Sequence, residues 1–195
     1  MTPPLELLWA IIGVLLTIGG TFLEAFAADP SWLWEQQEIS VYSLGVTYQI
    51  GAVLLVGCMG GKNAAAMSQI AYLVLGLTVL PVFSEGGGIG YLREPSFGYL
   101  LGFIPGGWLC GMLAFKAPPK LELLAFSCFC GLAVIHGVGL TYLTINYFIL
   151  EGFTAESLAL IEAIQKYSLH PLAGQLGVAC AISVLSYVLR GLMFY

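Results

Sequence analysis

Residues 121–146 read LELLAFSCFCGLAVIHGVGLTYLTIN, and this stretch decides what kind of protein the chain is. Glu122 is its one charged residue, and the rest is predominantly apolar. A helix needs about 20 such residues to cross the hydrocarbon core of a bilayer. Strands of a membrane barrel would instead alternate apolar and polar residues over about 10 positions. The stretch therefore predicts a transmembrane helix.

The composition of the whole chain agrees with a lipid environment. Of the 195 residues, 59% are hydrophobic and only 9% are charged, and the mean hydropathy is +0.93. A soluble domain carries about 25% charged residues because its surface faces water. These charges are too few to coat a water-soluble globule, so we predict an integral, multi-pass membrane protein.

Further runs of this kind give six predicted spans. They cover residues 5–28, 45–61, 64–83, 97–115, 121–146 and 171–192. The breaks at 60–63 and 116–120 are short, and Pro118 and Pro119 cannot continue a helix, so the flanking helices should be antiparallel neighbours. We expect a single all-α membrane domain over residues 1–195, with six transmembrane helices.

The few basic residues predict how these helices are oriented. Under the six-span assignment, four lie on one side of the membrane and two on the other. The first group is Lys62, Lys116, Lys120 and Arg190, and the second is Arg93 and Lys166. Because cytoplasmic loops carry an excess of lysine and arginine, we expect both termini in the cytoplasm.

A cleaved signal peptide is the alternative for the first span. Ala25, Phe26 and Ala27 resemble a cleavage site after an apolar run. The start of the chain has no basic residue and carries Glu6, and the run exceeds the usual signal length of about 7–15 residues. We therefore favour an uncleaved first helix.

A glycine-rich segment, residues 80–103, joins the third and fourth spans on the predicted outer side. Glycines allow a ligand to approach the backbone closely, tyrosines supply flat apolar surface with a hydroxyl group, and an arginine adds a cation. A flexible connection is the plainer interpretation of such a segment. The candidate binding residues are Gly86, Gly87, Gly88, Tyr91, Arg93 and Tyr99.

At this segment the chain resembles BioY, the biotin-binding S-component family of energy-coupling factor (ECF) transporters. The resemblance rests on VTYQ at 46–49, AYLVLG at 71–76, LPVF at 80–83, PSFGYLLGF at 95–103 and PLAGQ at 171–175. It implies an S-component bundle of six helices with both termini inside. It also implies a biotin cavity at the outer face, walled by the second and fourth to sixth spans, with the glycine-rich segment as a lid.

The sixth span departs from the family pattern. The family has an aspartate and a lysine three residues apart, which the resemblance implies read the ureido ring of biotin, whereas this chain has Gln175 and Val178. A glutamine amide offers a donor and an acceptor in one neutral group, so Gln175 is a candidate replacement. Hydrogen bonding to a neighbouring helix is the alternative for Gln175.

Two other side chains are candidates for ligand contact. Gln49 lies near the outer end of the second span, and His136 is an ionisable residue in the middle of the fifth. Helix–helix hydrogen bonding is the alternative for Gln49, and a backbone-bonded neutral histidine is the alternative for His136. Arg93 is the candidate partner for the biotin carboxylate, since a buried anion needs a paired charge.

The sequence contains no motif typical of catalysis, metal binding or nucleic-acid binding. There is no Ser/His/Asp arrangement, no G-x-S-x-G motif and no P-loop. Cys128 and Cys130 lie about 200° apart around a helix and cannot grip one metal. The net charge of −5 offers no basic patch to nucleic acid. We expect no enzymatic activity, catalytic residue, cofactor or metal.

The sequence thus predicts a membrane component for biotin uptake, resident in a bacterial cell membrane. The resemblance implies a transmembrane T-component and two ATPases as partners. Small residues for docking are sparse on the first span, where Gly13 and Thr17 are the main candidates. The alternatives are a carrier for another vitamin, or a structural subunit of a larger membrane complex that contacts its neighbours through Trp32, Trp34 and Glu35.

Overall fold

The computed structural model describes residues 2–28, 41–151 and 157–193, and it is largely helical. A 3-10 helix, Ile89–Arg93, follows the glycines, and a π-helical segment, Gln165–Leu169, leads into the last helix. Within these residues five helical stretches are long and apolar enough to cross a membrane, which confirms the helical membrane fold. The helices are α1 (Pro3–Phe22), α2 (Gln49–Thr78), α3 (Phe97–Ala114), α4 (Leu121–Glu151), α5 (Ser157–Ile164) and α6 (His170–Met193).

The second and third predicted spans lie in one element, α2, which turns back on itself at Gly61. This residue has φ 77° and ψ −178°, a conformation that favours glycine. Gln49 and Tyr72 are joined by a 2.9 Å hydrogen bond, although a straight helix would separate them by about 34 Å. Two antiparallel segments therefore make up α2, as the short predicted break requires. Six crossings of a bilayer stay a prediction.

A two-stranded antiparallel sheet extends the α1–α2 pair, and the all-helix prediction is wrong there. Strand β1 (Glu24–Ala28) pairs with β2 (Val41–Thr47), with Ala28 opposite Val41. Strand β1 falls at the end of the predicted first span, whereas only residues 45–47 of β2 fall in the predicted second span. Apolar character alone does not separate a strand from a helix end. The predicted contact residues Trp32, Trp34 and Glu35 lie outside the described residues.

The core centres on α2, α3 and α4, where glycines bring the helices into contact. A Cβ atom on Gly131 would lie 2.9 Å from the carbonyl oxygen of Gly106, and one on Gly106 would lie 2.8 Å from that of Gly131. Gly137, also on α4, has nothing within 4 Å of its Cβ position. Close packing of small residues is the usual way in which membrane helices associate.

Three cysteines from three different segments meet beside these glycines. The sulfur of Cys58 lies 3.7 Å from that of Cys110 and 3.6 Å from that of Cys128, and all three residues are fully buried. Three sulfurs within 4.8 Å of one another could ligate one metal ion, but the same distances suit buried thiols in contact. The expectation of no metal stays a prediction.

The predicted cytoplasmic cations gather at one end of the bundle. Arg190 donates a 2.8 Å hydrogen bond from Nη1 to the carbonyl of Ala114, and its guanidinium covers the ring of Phe115. Lys62 adjoins Gly61 at the turn of α2, against Gly111 of α3. We call this the lysine end, and the opposite end, which carries β1 and β2, the hairpin end. Which end faces the cytoplasm stays a prediction.

Candidate functional site

A cavity of about 170 Å³ opens at the hairpin end of the bundle. Strand β2 and the first turn of α2 form one wall, α3 a second, and the π-helical segment with α6 a third. Side chains of the glycine-rich segment complete the lining. No charged side chain is among the described residues that line this cavity, and α4 contributes none of them directly. The site is polar but electrically neutral.

Gln49 reaches the cavity from the start of α2, and its contact with a ligand stays a prediction. Its amide nitrogen donates to the hydroxyl oxygen of Tyr72 at 2.9 Å. Tyr72 is fully buried and donates its own proton to the carbonyl of Val82 at 3.0 Å. The antiparallel turn of α2 makes this contact, because it brings the two ends of one element together.

Gln175 lies on the α6 side of the cavity and is linked to His136 behind it. The Oε1 atom of Gln175 lies 2.6 Å from Nε2 of His136. The other ring nitrogen, Nδ1, lies 3.2 Å from the hydroxyl of Ser168, and that hydroxyl lies 2.6 Å from the hydroxyl of Tyr99. His136 is largely buried, so it supports the cavity wall from α4 without lining it.

The three glycines predicted to contact ligand, Gly86, Gly87 and Gly88, serve the packing of their own segment. The N–H of Gly88 donates to the carbonyl of Gly76 at 2.8 Å. A Cβ atom on Gly87 would lie 2.7 Å from the same carbonyl oxygen. None of the three lines the cavity, and ligand contact at these glycines stays a prediction.

Tyr91 and Tyr99 both line the cavity, and ligand contact at these tyrosines stays a prediction. Tyr91 is buried on the ring of Phe83, with centroids 4.7 Å apart. Its hydroxyl lies 3.3 Å from that of Ser84 and 3.2 Å from that of Ser96. The ring and the two serine hydroxyls therefore hold the glycine-rich segment together where it borders the cavity.

Arg93 is exposed and lies outside the cavity lining. Its carbonyl accepts a 3.2 Å hydrogen bond from the side-chain amide of Asn146 on α4. This bond fixes the backbone at the end of the 3-10 helix and leaves the guanidinium on the surface. Pairing of Arg93 with a ligand carboxylate stays a prediction.

The packing around Val178 leaves no space for a lysine at this position of α6. Its side chain is buried against Gly51 of α2, where an added Cβ atom would lie 2.8 Å from Cγ1 of Val178. Val178 does not line the cavity. A charged side chain here would have to displace the contact between α2 and α6, so only Gln175 of the two divergent positions is available to a ligand.

Sequence reasoning missed the serines that complete the site and the three-cysteine cluster. Ser84 and Ser96 lie in the quoted glycine-rich segment, so their proximity to Tyr91 was the available signal. Ser168 had no such signal, because it reaches His136 and Tyr99 from the π-helical segment. The cysteine cluster has no local signal either, because its members lie in segments far apart in sequence.

A comparison with family models matches residues 8–193 to the model described as the BioY family. The fold also matches the crystal structure of the S-component for biotin from an ECF-type ABC transporter. That match has a TM-score of 0.70 at 19% identity and covers 98% of this chain and 95% of the other. Identity this low supports a shared fold and nothing finer.

Two relatives show how far the sequence similarity extends. An uncharacterized 21.2 kDa protein in the psbX-ycf33 intergenic region of Cyanophora paradoxa is 26% identical over 96% of this chain and 95% of its own length. The probable biotin transporter BioY of Lysinibacillus sphaericus is 38% identical over 50% of each chain. The alignment therefore spans half the length of that named transporter.

Proposed function

Because the chain belongs to the BioY family, we propose that it is a membrane component that binds biotin at the hairpin end of its helical bundle. The family is one of transporter components, which agrees with the predicted lack of enzymatic activity. The Lysinibacillus relative is named a probable biotin transporter, and the structural relative is an S-component for biotin. Both names support this ligand.

The neutral, amide-lined cavity is the observation that carries the proposal. Biotin has a neutral ureido ring with two N–H donors and one carbonyl acceptor, and Gln49 and Gln175 both reach the cavity. The rings of Tyr91 and Tyr99 supply apolar surface for the bicyclic part of the ligand. Neutral partners also avoid holding charge at membrane depth, which is costly.

Opening of the glycine-rich segment would admit the ligand. The cavity of about 170 Å³ is smaller than common ligand pockets, which hold about 300–1,000 Å³. The segment turns through positive φ angles at Gly86 and Gly88, 119° and 88°. Glycine permits backbone angles there that are closed to other residues, which a segment that opens and closes would use. The lid role of this segment is part of the proposal.

Uptake driven by ATP needs partners, a T-component and two ATPases, since this chain has no P-loop. The small residues first considered for docking face inward: Thr17 is fully buried, and a Cβ atom on Gly13 would lie 2.7 Å from Cβ of Ser68. They hold α1 against α2. The exposed face of α1, which includes Leu8, Ile11 and Leu15, is then the surface open to lipid or to a T-component.

Binding to purified full-length protein in nanodiscs tests the ligand. We expect labelled biotin to bind with submicromolar affinity and equal stoichiometry, and Gln175→Leu to weaken it by about tenfold or more, because the ureido carbonyl loses its donor. Leu176→Ala is the matched control, since Leu176 is exposed on the same helix. It should bind as the unaltered chain does.

Native mass spectrometry on the same preparation separates the alternatives. A different co-purified vitamin, with no biotin binding, would show a carrier for another cargo. A chain that holds no small molecule and binds no biotin would refute the proposal and favour a structural subunit. The latter outcome has a basis in the sequence, because the aspartate and lysine of the family are absent.

A further inference from the structure

The two glutamines of the cavity approach it from opposite walls, and each is held by a partner outside the lining. Gln49 stands at the start of α2 and is bonded to Tyr72, while Gln175 stands on α6 and is bonded to His136. A side-chain amide has one acceptor end and one donor end. Whichever end the partner takes, the other is left for a ligand.

The single hydroxyl proton of Tyr72 determines which end of the Gln49 amide faces it. Tyr72 has one hydroxyl proton, and the carbonyl of Val82, 3.0 Å away, can only accept it. The hydroxyl of Thr21, 3.3 Å from that of Tyr72, donates its own proton to the carbonyl of Thr17 and so does not donate to Tyr72. With its proton on the shorter bond to Val82, the hydroxyl oxygen of Tyr72 accepts from Nε2 of Gln49, at 2.9 Å. A reversed amide would place two acceptors against each other. Gln49 consequently keeps its Oε1 atom, an acceptor, for the cavity.

The chain of hydrogen bonds behind Gln175 sets the opposite direction. Tyr99 has one hydroxyl proton, and among the described residues Ser168 is its hydrogen-bond partner, at 2.6 Å. If Tyr99 donates to Ser168, then Ser168 donates to Nδ1 of His136, and the proton of the neutral ring is on Nε2. Nε2 then donates to Oε1 of Gln175 at 2.6 Å. Every proton in this sequence of bonds has an acceptor.

The reverse direction leaves a proton without an acceptor. If Nδ1 of His136 donated to Ser168, then Ser168 would donate to Tyr99, and the Tyr99 proton would have no acceptor among the described residues. Because Tyr99 lines the cavity, water or ligand there would have to take this proton, whereas the first direction gives every proton an acceptor within the protein. The first direction is therefore favoured, and it leaves the N–H groups of Gln175 Nε2 for the cavity.

We infer that the two amides present opposite ends to the cavity. Gln49 presents its oxygen, which accepts, and Gln175 presents its N–H groups, which donate. This inference rests on the proposed function and specifies it. A cyclic urea fits both walls at once, with an N–H toward Gln49 and its carbonyl toward Gln175. A cyclic guanidinium, which offers donors only, would meet the donor end of Gln175 and be rejected. In this arrangement His136 is a positioning residue that acts through Gln175.

The same substitution at both glutamines gives a sharp test. The probes are biotin and iminobiotin, in which a guanidine replaces the urea, measured by calorimetry on full-length protein in nanodiscs. Gln175→Glu replaces the donor by acceptors, so biotin should weaken by about tenfold or more and iminobiotin should strengthen, reversing the preference. Both variants add the same negative charge, so the difference between them reports the direction: Gln49→Glu retains an acceptor toward the cavity and should lose less biotin affinity than Gln175→Glu.

Variants at position 136 test the positioning role separately. His136→Phe frees the Gln175 amide to rotate, so the ratio of biotin to iminobiotin affinity should fall by about threefold to tenfold. His136→Asn retains a donor toward Gln175 and should recover part of that ratio. A purely structural role for His136 would lower both affinities together and leave the ratio unchanged.

The outcomes separate this inference from the proposed function. If the unaltered chain binds biotin but Gln175→Glu and Gln49→Glu lose it equally, with no change of preference, the opposite polarity is refuted and the biotin function stands. If the unaltered chain binds neither probe, the proposed function fails and the inference fails with it. Thermal unfolding of each variant identifies those that do not fold, and a second pair, Gln175→Met and Gln49→Met, then replaces them. Loss of a donor should lower the ratio of biotin to iminobiotin affinity, so a lower ratio in Gln49→Met but not in Gln175→Met would refute the assigned directions.

Discussion

The middle of the bundle and its hairpin end use the same helices in opposite ways. In the middle, Gly106 of α3 touches Gly131 of α4, and Cys110 and Cys128 fill the remaining space. At the hairpin end, α4 presents His136 instead, about 8 Å further along the helix at five residues of 1.5 Å each. Small residues let the α3 and α4 backbones meet, whereas His136 faces Ser168 and Gln175 on the other side of α4.

The cavity therefore forms on the side of α4 that faces the π-helical segment and α6, and not between α3 and α4. The close α3–α4 contact continues past His136, since a Cβ atom on Gly139 of α4 would lie 2.4 Å from the ring of Tyr99. The polar groups that keep the wall open are also hydrogen-bonded to one another, so the site does not collapse into an apolar core. A tightly packed middle holds the helices, and their ends can then carry a binding site. The following changes test this division.

The largest expected effect comes from enlarging a glycine in the middle. Gly131→Leu would force α3 and α4 apart, because the carbonyl of Gly106 already lies 2.9 Å from the Cβ position. We expect a loss of about 3 kcal/mol or more of stability, or no folded protein. Thermal unfolding in detergent measures it. Gly137→Leu is the control on the same helix, and an equal loss there would contradict the contrast between the two positions.

At the hairpin end, Tyr72→Phe should have the next largest effect. The change leaves the carbonyl of Val82 without its donor and releases the amide of Gln49. We expect a loss of about 1.5 kcal/mol in the free energy of unfolding, together with weaker biotin binding. Tyr187→Phe, on an exposed tyrosine, is the control for both measurements. If Tyr72→Phe binds biotin with unchanged affinity, the conclusion would be that Gln49 does not contact the ligand.

Arg93 tests whether the site extends beyond the cavity. Because its guanidinium is exposed, pairing with a ligand carboxylate should contribute about 1 kcal/mol. Arg93→Ala should therefore lower affinity for biotin about fivefold but leave affinity for biotin amide, which lacks the carboxylate charge, unchanged. Lys166→Ala is the control at the other cation of this end. Equal effects on the two ligands would remove the carboxylate role.

The smallest effect is expected from the cysteine cluster if it is apolar packing alone. Cys58→Ala removes a buried sulfur and should cost about 1 kcal/mol, with Cys180→Ala, at an exposed cysteine, as the control. Thiol labelling of the folded protein should reach Cys180 and spare Cys58, Cys110 and Cys128. Co-purification of a metal ion that is lost in Cys58→Ala would show instead that the cluster is a binding site.

Composition and motifs predicted much of this molecule because its strongest signals are local. Apolar length marks the helices, and the run from 95 to 103 marks the family. The polar site residues Gln49, His136 and Gln175 stood out because each is unusual in an apolar segment. All three lie at or next to the cavity at the hairpin end.

What the sequence left open depends on contacts between distant segments. Neither the β1–β2 pairing nor the meeting of Cys58, Cys110 and Cys128 has a local signature, since each depends on how helices are arranged. Ser168 reaches the site because a π-helical segment precedes α6. The direction of the two glutamine amides likewise depends on partners that lie far away in the chain.

The turn at Gly61 also bears on how the protein enters the bilayer during synthesis. It divides α2 into segments of about 12 and about 17 residues, both shorter than the roughly 20 that a lone helix needs to span. Neither segment is well suited to leave the translocon by itself. We expect the two segments to enter the lipid together as an antiparallel pair, after the first helix. The later helices would then pack against helices that are already inserted while the ribosome is still synthesising the chain.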